Sequence, residues 1–219
     1  FSAVFVITDG IFVGQGIGSD ALAAVNITAP LFLISTGIGL MFGVGASVVA
    51  SIHLSQGKLK TARINVTQAV VISSLFLAVL WGVVCLFAPQ VAVWLGSSER
   101  LLPLAVEYMY WFLPFLVFSA LLSSGMFFVR LDGSPNYAML CNAIPAVNIL
   151  LDYVFIFILK WGMMGAALAT SLGYILGAGM IVVYLSRRRN VIHFCRVKLS
   201  KKSMRLTWRN VKYMCHLGV

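Results

Sequence analysis

An all-α, polytopic bundle of membrane-spanning helices is what this sequence predicts, from its composition, its division into apolar stretches of similar length, and the placing of its positive charge. Of 219 residues, 61% are hydrophobic and only 10% are charged, against roughly half and a quarter in soluble domains. A helix crossing the hydrocarbon core needs about 20 mainly apolar residues, and charged or Gly/Pro-rich breaks cut the chain into pieces of that size.

The first stretch runs from Phe1 to Gly14, already apolar at its first residue. The second, Ile27 to His53, contains Gly37, Gly39, Gly43, Gly45, Ala46, Ser47, Ala50 and Ser51, small residues that let helix backbones approach closely in lipid. The third covers Ala62 to Ala88, the fourth Leu101 to Arg130, the fifth Tyr137 to Leu159 and the sixth Met163 to Ser186, with a seventh starting near Val211. Pro114 and Pro145 fall inside the fourth and fifth, where a proline removes a hydrogen bond and tends to kink the helix. The expected organisation is a six-helix lobe over 1–186, a basic linker over 187–209 and the start of a second lobe over 210–219, in a fragment of a longer chain.

The net charge is +10, but seven of the sixteen Lys and Arg lie between Arg187 and Lys202. That concentration reads as a loop signal and not as a nucleic-acid surface; a plain topology signal is the favoured role of the linker, and contact with anionic membrane lipid the alternative. Assigning alternate loops to alternate sides puts fourteen Lys and Arg on one side and only Arg100 and Lys160 on the other. Cytoplasmic loops collect such residues, so the first span is expected to run outward and the sixth to return, in a bacterial inner membrane.

Several patterns carry no function. Gly14-Gln-Gly-Ile-Gly18 lacks the full dinucleotide-loop spacing and follows a membrane span instead of a strand, so it reads as a turn. Cys85, Cys141, Cys195 and Cys215 show no C-x-x-C spacing, and His53, His193 and His216 are scattered, so neither a disulfide framework nor a zinc site is indicated. No nucleophile with a base and no phosphate loop stands out, which argues against an enzyme, and no cofactor is expected.

The acidic residues are more informative. Asp20, Glu99, Glu107 and Asp132 lie in loops or near span ends, whereas Asp9 and Asp152 lie inside apolar runs. An aspartate at the centre of a membrane helix costs about 3 kcal/mol on insertion scales and usually has a partner. Asn148 precedes Asp152 by four residues, so the two share a helix face. Counting from the expected outer ends at 1.5 Å per residue puts Asp152 about 12 Å, Thr170 about 10 Å and Asp9 about 8 Å deep. Three helices thus offer carboxylate, amide and hydroxyl oxygens at similar depth, a donor set suited to a hard cation such as Na⁺. A proton would use the carboxylates alone.

Three stretches make the sequence resemble the multidrug and toxic compound extrusion (MATE) family of secondary transporters: Asp9-Gly-Ile-Phe-Val-Gly14 with Ala21-Leu-Ala-Ala24 and Pro30; Arg130-Leu-Asp-Gly-Ser-Pro135 leading to Asn148-Ile-Leu-Leu-Asp152; and Gly162-Met-Met-Gly-Ala-Ala-Leu-Ala-Thr170. The resemblance implies the amino-terminal six-helix lobe of a two-lobe transporter, with a cation site at Asp9, Asn148, Asp152 and Thr170. It implies cation-coupled antiport, with Na⁺ or H⁺ exchanged for organic, often cationic, compounds, and a missing carboxy-terminal lobe as partner. The rival readings are a related lipid-linked oligosaccharide flippase, which would need a more cationic cavity, and a non-transporting membrane scaffold.

The orientation has a direct test. In the full-length protein without its native cysteines, Lys160→Cys should react with a membrane-impermeant thiol reagent added outside, while Arg188→Cys should not; the reverse pattern would invert the topology.

Overall fold

In the computed structural model, residues 2–144, 147–187, 190–195 and 212 are described, with side chains from Thr8 onward. The described residues form helices and no strands: α1 (Ser2–Gly16), α2 (Ser19–Ser55), α3 (Leu59–Leu86), α4 (Ala88–Trp94), α5 (Leu102–Phe112), α6 (Leu116–Leu131), α7 (Pro135–Ala143), α8 (Val147–Asp152) and α9 (Gly162–Ser186). A 3-10 turn, Leu113–Phe115, joins α5 to α6 at Pro114, where the missing amide hydrogen interrupts the α-helical ladder. A π-helical turn, Tyr153–Ile158, continues α8.

Among the described residues, five stretches are long and apolar enough to cross a membrane: Ser19–Ser55, Leu59–Leu86, Leu102–Leu131, Pro135–Ile158 and Gly162–Ser186. These match the second to sixth expected spans. The first helix has 15 residues, shorter than the length a complete crossing needs. The expected seventh start near Val211, Pro145, and the linker beyond Cys195 lie outside the described residues. The second span begins at Ser19, earlier than expected from Ile27, because the polar Ser-Asp start supplies a helix N-terminus and hydropathy alone does not register it. The short α4 was not expected; Pro89 at its start and buried Ala88 and Ala92 explain it.

The chain divides into two compact units, one from Phe1–Ser35, Leu77–Phe118 and Ala143–Leu176, the other from Thr36–Phe76, Ser119–Asn142 and Gly177–Val219. In the first, Trp81 Nε1 donates to Ser35 Oγ at 2.6 Å, satisfying two buried polar groups. Exposed Arg100 pairs with Asp20 at 2.5 Å, a surface contact of small energetic value.

The second unit is organised by close backbone approach. A Cβ on Gly39 would lie 2.7 Å from the Ala120 Cα and carbonyl oxygen, and one on Gly43 would lie 2.7 Å from Ser124 Cα. The small residues of α2 therefore seat α6. The segment 190–195 is strapped onto this unit. Asp132 Oδ1 accepts from the Ile192 amide at 2.6 Å and Oδ2 from the Tyr184 hydroxyl at 2.7 Å. Arg63 Nε donates to the Val191 carbonyl at 2.8 Å, and the Cys195 amide donates to Thr67 Oγ1 at 3.1 Å. Ile192 is fully buried beneath the strap. Within the expected linker 187–209, Ile192 is buried in the core of this unit.

Gly39→Leu should lower stability by about 1–3 kcal/mol through overpacking. Gly37, whose added Cβ would meet nothing within 4 Å, should instead tolerate Gly37→Ala with a gain of up to about 1 kcal/mol. Thermal melting of the two variants in detergent checks the opposite signs.

Candidate functional site

The site is built within the first unit from α1, α8, α9 and α5. Asn148 and Asp152 stand one turn apart on α8, and Asp152 is completely buried. Its carboxyl is hydrogen-bonded to that of Asp9 on α1. Ionised carboxylates only accept hydrogen bonds, so a hydrogen bond between the two requires a proton on one of them. Apart from that contact, Asp9 Oδ1 is buried with no hydrogen-bond partner, a feature that calls for an explanation in a low-dielectric interior.

Asn148 bridges the carboxyl pair to α9. An amide's orientation follows from its partners. With its NH₂ donating to both Asp152 oxygens, Oδ1 at 3.2 Å, its carbonyl accepts from Thr170 Oγ1 at 2.9 Å. Thr170 Oγ1 also lies 3.1 Å from the Ala166 carbonyl in the preceding turn. The small residues leading to Thr170 position it: a Cβ on Gly165 would meet Phe155 and Trp161 at 3.1–3.2 Å, so glycine lets α9 start close under the end of α8's π-helical turn.

All four residues singled out in the sequence, Asp9, Asn148, Asp152 and Thr170, thus form one hydrogen-bonded chain. The structure adds two that the sequence reading missed. Tyr108 on α5 is buried and its hydroxyl is hydrogen-bonded to Thr170, and Tyr174 on α9 lies close enough to Asp9 for their charges to interact. Aromatic contacts extend this wall, with Tyr108 against Phe112 at 5.0 Å and Phe32 against Tyr174 at 5.6 Å. The available signal was a tyrosine inside an apolar helix, since a buried phenol needs a partner for its hydroxyl. Carboxyl, amide, hydroxyl and phenol oxygens together give a part-buried site whose donor set suits a proton or a small hard cation.

The sequence profile of the MatE family matches residues 1–154. The chain is 26% identical over 217 residues to an FAD transporter of Shewanella oneidensis, covering 96% of this chain and 47% of that one. It is 28% identical over 205 residues to the multidrug export protein MepA of Staphylococcus aureus, covering 91% and 44%. Among solved structures it resembles the inward-facing conformation of a multidrug resistance MATE family transporter of the MOP superfamily, with a TM-score of 0.84 and 24% identity over 98% of this chain and 50% of that one; at this identity the likeness establishes the fold. The chain spans about half the length of the curated relatives it matches. With the family profile covering most of its length, the chain belongs to the MatE family.

Proposed function

We propose that this chain is the amino-terminal lobe of a multidrug exporter in which Na⁺ or H⁺, entering at Asp9 and Asp152, drives the outward movement of organic, often cationic compounds. The observation that carries this reading is the buried carboxyl pair tied to Asn148 and Thr170. A static structural bond would need no unpartnered oxygen, and Asp9 Oδ1 keeps one. Exchange follows from the chemistry. Na⁺ arriving at the pair displaces the shared proton and the Asn148 NH₂, and a half-turn of that amide presents its carbonyl oxygen to the ion. Two protonation and ion states of one site then impose two arrangements on α1, α8 and α9, the kind of differential interaction that alternating access requires.

The likeness to an FAD transporter supports a second reading of the cargo, a phosphate-bearing anion. Against it, the Lys and Arg of the five membrane-length stretches sit near helix ends, leaving no cation deep in this lobe to meet phosphate. Competition of drug export by FAD in proteoliposomes separates the two.

In the full-length protein, Asp152→Asn keeps the shape of the side chain and removes the titratable charge. Drug export should collapse while folded protein remains in the membrane; export at the wild-type rate would reduce Asp152 to a structural residue.

The ion has its own test. Neither Asn148 nor Thr170 titrates near neutral pH, so their oxygens favour Na⁺. Asn148→Ala or Thr170→Val should weaken apparent Na⁺ affinity by about tenfold, equivalent to about 1.4 kcal/mol. Because the ion replaces a proton, wild-type Na⁺ affinity should rise with pH. Export driven only by the pH gradient, indifferent to Na⁺ and to both substitutions, would assign the pair to protons alone.

A further inference from the structure

The π-helical turn Tyr153–Ile158 begins at the residue after Asp152, and such turns concentrate at functional sites. Asp9, Phe12 and Gly16 recur at helical spacing along one face of α1, and each meets this part of the chain. Asp9 meets Asp152. Phe12 packs edge-on against Phe157 with ring centroids 5.9 Å apart. Gly16 lies so close to Ile156 that an added Cβ would force the Ile156 side chain to shift, and it would also sit 3.2 Å from Phe157 Cζ. Ile156, at 4% exposure, is the buried centre of this layer, with Phe12 half-buried and Gly16 and Phe157 at its exposed edge. On its other side is a cavity of about 410 Å³ whose lining includes Gln15, Gly16, Ile156, Phe157, Lys160 and Gly162.

The order along α1 is therefore carboxyl pair, apolar layer, cavity. We propose that the cavity is a vestibule by which the coupling cation reaches Asp9 and Asp152, and that the Gly16–Ile156 and Phe12–Phe157 contacts are the plug it must pass. This rests on the reading of the carboxyl pair as a cation site. A cation meeting an apolar layer is held back by the loss of its hydration, so passage requires the layer to part. The π turn supplies the movable element: a return to α-helical pairing there rotates Ile156 and Phe157 together relative to α1, away from Gly16 and Phe12. Lys160 stands at the vestibule, where its ammonium opposes an entering cation and slows passage without altering the affinity of the carboxyl pair. That opposition is screened by salt.

The full-length protein carrying Asp152→Cys as its single cysteine gives a test that does not depend on Na⁺ being the natural ion. Ag⁺, a monovalent cation that bonds to thiols, serves as the probe, and loss of free thiol is the readout. Adding Ile156→Ala should speed the reaction about tenfold, and adding Gln15→Trp, which fills the vestibule, should slow it by a similar factor. Adding Lys160→Gln should speed it at low salt with the gain fading at high salt. Ile156→Val provides a milder plug variant if Ile156→Ala does not fold. Ag⁺ rates unchanged by the plug and vestibule substitutions would overturn the route, even where calorimetry finds Na⁺ bound by the wild type and not by Asp152→Asn. Rates that respond as expected, in a protein that binds no Na⁺, would uphold the route and overturn the sodium reading of the site.

Discussion

The burial of Asp152 constrains everything around it. A carboxyl with no solvent contact, inside a helix of Ile, Leu, Val and Phe, is tolerated only if its polar atoms are satisfied by partners on its own or neighbouring helices. α1 answers with Asp9, α8 with Asn148, and α9 with Thr170 through Asn148; α5 then closes the chain with Tyr108 on Thr170. Loss of a partner would leave a buried acceptor or donor without one, at a cost of about 1–3 kcal/mol. The polar chain therefore fixes which faces of these helices meet, in a setting where hydrophobic burial offers little discrimination between one apolar face and another.

Close packing completes what the polar chain begins. Exposed Leu33, Leu86 and Leu150 would be liabilities in water but suit a lipid-facing surface. With lipid as apolar as leucine, helices gain by approaching until their backbones touch. In the unit that holds the carboxyls, Gly165 comes close under the Phe155 carbonyl, and Gly16 makes room for the Ile156 side chain. In the other unit, Gly39 and Gly43 bring α2 close against α6, and Gly125 gives room to Ile181.

How much of this was legible in the sequence depends on which force sets each feature. Spans set by hydropathy were readable: Leu59–Leu86 and Gly162–Ser186 fall within a few residues of their expected limits. Asn148 and Asp152 were readable because helical spacing places them on one face, and Asp9 and Thr170 because motif and depth agreed. The π turn was not legible, since Tyr-Val-Phe-Ile-Phe-Ile is apolar in either helical register. Tyr108 was missed because its hydroxyl acquires meaning only when Thr170 arrives from a helix some sixty residues away. The strap at 190–195 was hidden by the arginines just before it, whose charge suggested solvent while Ile192 packs into the core.

Asp132 and Asp9 show how differently two carboxyls in one chain can be partnered. Asp132 accepts from the Ile192 amide on one oxygen and from the Tyr184 hydroxyl on the other, and Tyr184 is itself held by Ser134 at 2.8 Å. Both oxygens are served by neutral donors fixed in the fold, so the group locks a chain segment in place. Asp9 meets another acid and keeps Oδ1 buried without a donor. Its remaining need is for a positive charge, a proton or a metal ion, and no fixed neutral donor meets it. The fold saturates one carboxyl completely and leaves the other with a buried oxygen that has no hydrogen-bond partner, and the proposed ion exchange rests on that difference.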